Sequence, residues 1–107
     1  MKFIIADNLY SDQLNDKAFK KTLRKVALKR PVNSLYVVTE PLYEAGILEI
    51  YNYNELLQPF YRKMKRNINI YGVATSRDSA KQLVLNIVED SVNKFDTPDI
   101  KRLFEGG

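Results

Sequence analysis

The sequence predicts one small domain of the α+β class, and three observations lead to this prediction. Four short stretches are rich in β-branched and apolar residues, as strands are. Two longer stretches lack Gly and Pro and repeat apolar residues at helical spacing. The chain has 107 residues, of which 45% are hydrophobic, which is enough for one core without disulfides. We therefore expect a single domain over 1–107, with a short C-terminal helix and tail over 96–107.

The first part of the chain predicts a strand, a loop and a helix. Residues 2–6, KFIIA, are apolar and β-branched, whereas DNLYSD over 7–12 is typical of turns and helix caps. From Asp12 to Lys29 apolar residues recur every three or four positions, and Pro31 then prevents the helix from continuing. The pattern predicts an amphipathic helix over that range.

The middle of the chain predicts two neighbouring strands and a broken helix. SLYVVTE over 34–40 and GILEIYNY over 46–53 are the strands, with Pro41 ending the first of them. Pro59 lies too far inside the following segment for a continuous helix. We therefore expect a turn over 54–58 and a helix that restarts near Pro59.

The last part of the chain predicts a strand over 68–74, a long helix over 75–95 and a final short helix. Thr97 is the expected N-cap of that last helix and Pro98 its first residue. The element order is then β-α-β-β-α-β-α-α. It predicts a ferredoxin-like, split β-α-β fold: a four-stranded mixed or antiparallel sheet with adjacent second and third strands, two to three packed helices and the short C-terminal helix.

The composition excludes several kinds of chemistry. The sequence contains neither cysteine nor histidine, which removes zinc–thiolate sites, thiol nucleophiles and the commonest general base. We therefore expect no enzyme, no catalytic residue, no metal and no cofactor. The apolar run at the N-terminus is only four residues long, too short for a signal peptide or a membrane span. A cytoplasmic protein without a membrane partner is the expectation.

A basic bias indicates the leading candidate site. The chain has 17 Lys and Arg against 13 Asp and Glu, a net charge of +4. Cations concentrate in the first helix and just after the second, where they are suited to phosphate contacts. The candidate nucleic-acid-binding residues are Lys17, Lys20, Lys21, Arg24, Arg62, Lys63, Lys65 and Arg66. The alternative is a solvated outer face, which surface helices commonly have.

Two tyrosines of the third predicted strand have two interpretations. If Tyr51 and Tyr53 are exposed, they offer a platform on which bases can stack. If they are buried, they are core residues whose hydroxyls reach the edge of the sheet, as is common for tyrosine in strands. We favour packing under the long helix over 75–95.

A second candidate site lies where the fourth predicted strand leads into the long helix. Thr75, Ser76 and Arg77 combine hydroxyls, free backbone N–H groups and a guanidinium, which together suit a phosphate, nucleotide or carboxylate. The alternative is that the hydroxyls simply cap the helix. A further pair, Asp7 and Glu40, follows the first two predicted strands, so these carboxylates can approach each other in a sheet.

These features predict a non-enzymatic binding or regulatory module, with nucleic acid as the first ligand class. A small-anion or nucleotide-binding regulatory domain is the alternative, and a protein–protein interaction module of a phage or mobile element is a third. An apolar stripe on the last helix, Ile100, Leu103 and Phe104, either docks on the domain or binds a protein partner or a second copy. A homodimer through that helix or a sheet edge is therefore among the predictions.

Overall fold

The computed structural model describes residues 1–13, 16–42 and 46–105, and its strands form one mixed sheet with helices on both sides. A short 3₁₀ helix, Tyr53–Leu57, follows the third strand. The strands and α-helices are β1 (Phe3–Ser11), α1 (Lys17–Ala27), β2 (Tyr36–Thr39), β3 (Glu49–Asn52), α2 (Pro59–Arg62), β4 (Ile68–Ala74), α3 (Arg77–Phe95) and α4 (Ile100–Glu105).

The strand order is β1-β4-β2-β3, with β1 parallel to β4 and the other two pairings antiparallel. The predicted α+β class, mixed four-stranded sheet and β2–β3 neighbours are confirmed in the described residues. The ferredoxin-like order is not confirmed, because β1 lies at the edge of the sheet, parallel to β4, and β4 instead of β3 lies between β1 and β2. The burial of the strands explains the arrangement. All of β4 except Asn69 is buried, whereas β1 alternates irregularly and occupies an edge.

The first strand is longer than the sequence predicted, and its register is interrupted. The predicted loop over 7–12 is strand as far as Ser11. Ile5 pairs with Ile70 and Tyr10 with Gly72, so β1 advances five residues while β4 advances two. The turn-forming residues Asp7 and Asn8 therefore lie in a wide bulge. An edge strand tolerates such a bulge because it pairs on one side only.

Both ends of α1 lie inside the predicted range. The Asp16 side chain accepts a hydrogen bond from the Phe19 N–H at 2.9 Å, which makes Asp16 the N-cap and excludes Asp12 from the helix. Lys29 has a left-handed backbone, with φ of 58°, and ends the helix before Pro31. Positions 14–15 of the predicted helix lie outside the described residues.

The start of α4 differs from the prediction. The expected cap Thr97 lies before the helix, and the carboxylate of Asp99 instead accepts a hydrogen bond from the Arg102 N–H at 3.2 Å. Aspartate is an equally good N-cap, and it moves the helix start to Ile100. The predicted tail at 106–107 lies outside the described residues. Elsewhere the observed bounds follow the predicted ones closely: Pro59 starts α2, and β4 has its predicted limits.

Two apolar cores lie on opposite sides of the sheet. The first, which we call the α1 side, packs α1, the 3₁₀ helix and α2 on the sheet, around Phe19, Val26 and Tyr53. The second, the α3 side, packs α3 and α4 on the sheet, around Tyr71 and Ile87. Within the three described ranges, no helix is long and apolar enough to span a membrane.

Candidate functional site

The cationic side chains of α1 point away from the core. Lys17, Lys20, Lys21 and Arg24 are all exposed, while Phe19 and Val26 of the same helix are buried. None of the four cations forms an ion pair with a described residue. The four residues also line a shallow surface depression. Their charges are therefore solvated and available to a ligand.

The second basic segment lies on the same side of the sheet. It follows α2, and the preceding residues Leu56 and Tyr61 belong to the α1-side core. Arg62, Lys63 and Lys65 are exposed and have no ion pair with a described residue. Arg66 differs, because its Nη2 lies 3.0 Å from Oε1 of Glu40. Three of these four predicted cations thus have no carboxylate partner among the described residues. We call the seven predicted cations other than Arg66 the basic surface.

The buried ring of Tyr53 links the two basic segments. Its hydroxyl donates to the Arg30 carbonyl oxygen at 2.8 Å, just beyond α1. Burial raises the pKa of Tyr53 to about 12, and the nearby charge of Arg62 opposes part of this rise. The Val32 N–H also donates to Oδ1 of Asn54 at 3.0 Å. These contacts fix the chain after α1 against the 3₁₀ helix, close enough to the second basic segment for the charge of Arg62 to act on Tyr53.

The packing interpretation of the tyrosines is supported, with a change of side. Tyr53 is fully buried and Tyr51 is half-buried, with its ring edge-on to Tyr61 at a centroid distance of 6.0 Å. Both pack on the α1 side, whereas Leu48 and Ile50 point to the α3 side. Alternation along β3 explains this, because successive side chains take opposite faces of a sheet. The sequence had indicated packing under α3. That prediction is wrong, because both rings pack on the α1 side.

At the predicted anion site, the groups expected to bind an anion already contact other groups of the protein. Oδ2 of Asp12 accepts hydrogen bonds from the Thr75 N–H at 2.9 Å and from the Thr75 hydroxyl at 2.8 Å. The Ser76 hydroxyl accepts from the Ser79 N–H at 3.1 Å, as an N-cap does. The Arg77 guanidinium lies over the Tyr36 ring, 5.5 Å from its centroid. Capping and an internal carboxylate thus account for these three residues.

The apolar stripe of α4 is used within the domain. Ile100 and Leu103 are buried in the α3-side core, and the Phe104 ring stacks on Tyr71 with centroids 4.2 Å apart. Docking was the interpretation that the sequence favoured over a protein partner. A second copy or another partner would therefore have little apolar surface of this stripe to cover.

A cleft of about 360 Å³ lies on the α3 side, where the β1 bulge, the end of β2 and α4 meet. Asp7 and Glu40, the two carboxylates expected to approach each other, both line it. Glu105 adds a third carboxylate and Lys101 an ammonium. Oε1 of Glu40 accepts a hydrogen bond from Nδ2 of Asn69 at 2.9 Å in addition to its ion pair. We call this site the acidic cleft.

The other residues of the acidic cleft were not predicted from the sequence. Asn69, Tyr71 and Phe104 lie on elements far apart in the chain, and only the β1–β4 pairing and the docking of α4 bring them together. One available signal was a polar residue in an otherwise apolar strand: Asn69 interrupts INIYGVA. An isolated polar residue in a buried strand points to a local partner or a site.

Comparison with known proteins identifies no relative: no family model matches the chain, and no curated protein or solved structure is significantly similar to it.

Proposed function

We propose that this domain is a cytoplasmic, non-enzymatic binding module that contacts nucleic acid through its basic surface. The observation that carries the proposal is the row of exposed cations on α1, none of which forms an ion pair with a described residue. Cations that have no carboxylate partner can replace the counterions of a phosphate backbone.

The dimensions of α1 support a backbone contact. Lys17, Lys21 and Arg24 lie on one outer face, and the first and last are seven positions apart, or roughly 10 Å at 1.5 Å per residue. A nucleic-acid strand advances about 3.4 Å per phosphate along a duplex axis, so the row matches about three phosphates. Arg62 and Lys63 extend the surface on the same side of the sheet. Such contacts confer affinity and salt dependence, but they do not read base sequence.

Fluorescence anisotropy with labelled single- and double-stranded DNA and RNA tests the proposal. Binding should weaken linearly on a plot of log affinity against log salt, with a slope of about −3 to −4 on duplex DNA if four phosphates are neutralised. The double variant Lys21→Glu/Arg24→Glu should weaken binding at least about tenfold, because it replaces two attractive charges with two repulsive ones.

A matched control separates a local contact from a general charge effect. Lys81→Glu/Lys94→Glu changes the net charge equally but lies on α3, on the other side of the sheet. We expect this control to retain most of the affinity. Equal losses of affinity in both double variants would show that only net charge matters and not the α1 surface. Unchanged binding in the α1 variant would refute the proposal.

A further inference from the structure

Phe60 of α2 is the most exposed large apolar side chain among the described residues, at 66%. It lies on the α1 side of the sheet, where the next residue, Tyr61, packs against the core. An isolated apolar residue is common on a protein surface and indicates no function by itself. Phe60 is distinguished by its surroundings, because its ring contacts another ring and cations of the basic surface follow it directly in the chain.

Neighbouring rings hold Phe60 in a defined position. Its ring is perpendicular to that of Tyr61, with centroids 5.2 Å apart, and Tyr61 in turn contacts Tyr51 edge-on. Both tyrosines pack against the α1-side core. The Lys63 N–H donates to the Pro59 carbonyl oxygen at 3.1 Å, which closes the turn that carries the ring. An exposed ring that is already ordered loses little conformational entropy when a ligand packs on it.

Two cations of the basic surface flank the ring. Arg62 and Lys63 follow Phe60 by two and three positions, and neither has a carboxylate partner among the described residues. Lys63 keeps a helical backbone, with φ of −81° and ψ of −6°. Side chains three positions apart on a helix are neighbours on one face, so Lys63 shares a face with Phe60. An aromatic ring beside cations is the combination with which proteins bind single-stranded nucleic acid.

Base pairing decides which form of nucleic acid can use this ring. In a duplex the bases stack on each other and present only their edges in the grooves, whereas unpaired bases can stack on an aromatic side chain. The tyrosines that the sequence offered as a stacking platform do not fill this role, because Tyr53 is fully buried and Tyr51 is half-buried. Phe60 is the aromatic residue that the fold exposes beside the basic surface.

We propose that the basic surface binds single-stranded nucleic acid, with one unpaired base stacked on Phe60 and the adjacent phosphates contacted by Arg62 and Lys63. This inference rests on the proposed nucleic-acid binding and adds to it the form of the ligand and the residue that contacts a base. The cations give affinity for any phosphate backbone, whereas the ring favours strands whose bases are unpaired.

Fluorescence anisotropy with three labelled ligands of equal length tests the inference: a thymidine strand, an abasic strand and a DNA duplex. The parent should bind the thymidine strand at least about fivefold more tightly than the abasic strand, because the two have the same phosphates and only one has bases to stack. Phe60→Ala should abolish this difference and change the affinity for the duplex by less than about twofold. Because the ring is exposed, its truncation should leave the domain folded.

Leu85→Ala is the matched control for the loss of an exposed apolar side chain. Leu85 is almost as exposed as Phe60, but it lies on α3, on the other side of the sheet. This variant should bind all three ligands as the parent does.

A tryptophan at the same position provides a readout other than affinity. The sequence contains no Trp, so Phe60→Trp carries a single indole whose emission reports on this site alone. A base stacked on the indole quenches its emission. The thymidine strand should therefore quench it saturably, whereas the abasic strand should not. Leu85→Trp is the control and should show no quenching with either strand.

The outcomes distinguish this inference from the proposed function. If the parent binds none of the three ligands even at low salt, both fail. If it binds them but does not prefer the thymidine strand to the abasic strand, nucleic-acid binding stands and the stacking inference is overturned. The same holds if Phe60→Ala keeps the preference or loses affinity equally for every ligand. Equal quenching of Phe60→Trp by the abasic strand would also overturn the inference, because the backbone alone would then suffice.

Discussion

Each side of the sheet buries a tyrosine, but only one of the two hydroxyls has a hydrogen-bond partner among the described residues. On the α1 side, Tyr53 is fully buried and donates to the Arg30 carbonyl oxygen. On the α3 side, Tyr71 is buried almost as deeply, but its hydroxyl opens into the acidic cleft without a partner among the described residues. The comparison teaches that burial alone does not identify a role. The Tyr53 hydroxyl is bonded within the fold, whereas the Tyr71 hydroxyl has no bond to a described residue and is open to solvent.

Removing the Tyr53 ring should have the largest effect. Tyr53→Ala deletes a fully buried aromatic side chain and its contact with Phe3, so we expect a loss of about 3–5 kcal/mol in the free energy of unfolding. Urea denaturation measures the change. Leu85→Ala is the control, because Leu85 is 61% exposed and its truncation should cost less than about 0.5 kcal/mol. A Tyr53→Ala variant as stable as the control would contradict the described core.

Alkaline pH should destabilise the fold through Tyr53 and Tyr10. Burial raises the pKa of Tyr53 to about 12, and burial together with the Asp90 carboxylate raises that of Tyr10 to about 12. The folded state thus holds both phenolic protons more tightly than the unfolded state, in which the ordinary value is about 10. Their contribution is complete below about pH 10 and is lost as the pH rises toward 12. The urea concentration at the midpoint of unfolding, measured from pH 8 to 12, should decrease as the pH rises from about 10 to 12. The decrease should be smaller in Tyr53→Phe.

The N-cap of α1 offers an effect of intermediate size. Asp16→Ala removes the carboxylate that accepts from the Phe19 N–H, so stability should fall by about 1 kcal/mol. Asp16→Asn retains an acceptor and should recover most of the loss, as thermal or urea unfolding would reveal. An alanine variant that is as stable as the parent would show that water replaces this cap without cost.

Deleting the hydroxyls alone sharpens the comparison between the two tyrosines. Without added ligand, Tyr53→Phe should lower stability by about 0.5–1.5 kcal/mol, because it breaks the bond to Arg30. Tyr71→Phe should change stability by less than about 0.5 kcal/mol, since the hydroxyl is open to solvent and bonds to no described residue. Paired urea titrations decide the matter. Equal losses would mean that the Tyr71 hydroxyl has a structural partner, and the contrast would fail.

The smallest expected effect is a gain at the end of α3. Asp96 has a left-handed backbone, with φ of 61°, at the C-cap of that helix. Asp96→Gly should raise stability by a few tenths of a kcal/mol, up to about 1 kcal/mol, because glycine adopts this conformation without strain. Asp96→Ala, which lacks both the freedom of glycine and the local hydrogen bonding of aspartate, should lower it. Differential scanning calorimetry resolves changes of this order.

Local pattern predicted the elements well where one physical signal dominated. β4 is apolar on both faces, and Pro59 can only begin a helix, so their limits follow from the sequence. The predicted β1 was too short because Asp7 and Asn8 have turn propensity; they lie in the bulge, and pairing to β4 resumes after them at Tyr10. The strand order was not predictable from chain order, since the pairing of β1 with β4 depends on which strand buries both faces. Which strand takes the buried central position depends on the packing of the whole sheet.

The candidate sites show the same division. The basic residues of α1 are close in sequence, so their shared face followed from helical spacing alone. The acidic cleft joins Asp7, Glu40, Tyr71 and α4, and its formation requires the tertiary structure. The sequence predicted that two carboxylates could meet, but the packing of Tyr71 and Phe104 beside them depends on tertiary contacts, which no local pattern reports.

The position of β1 at the edge, paired only with β4, has a consequence for the newly made chain. Residues 3–11 pair with residues 68–73, so β1 has no strand partner until about sixty further residues have been synthesised. At 5–20 residues per second this interval lasts roughly 3–12 s on the ribosome. An apolar strand exposed for that time invites aggregation. Asp7 and Asn8, which fit poorly in a regular strand, interrupt the apolar run, and polar residues at such positions lower the tendency of an unpaired strand to aggregate.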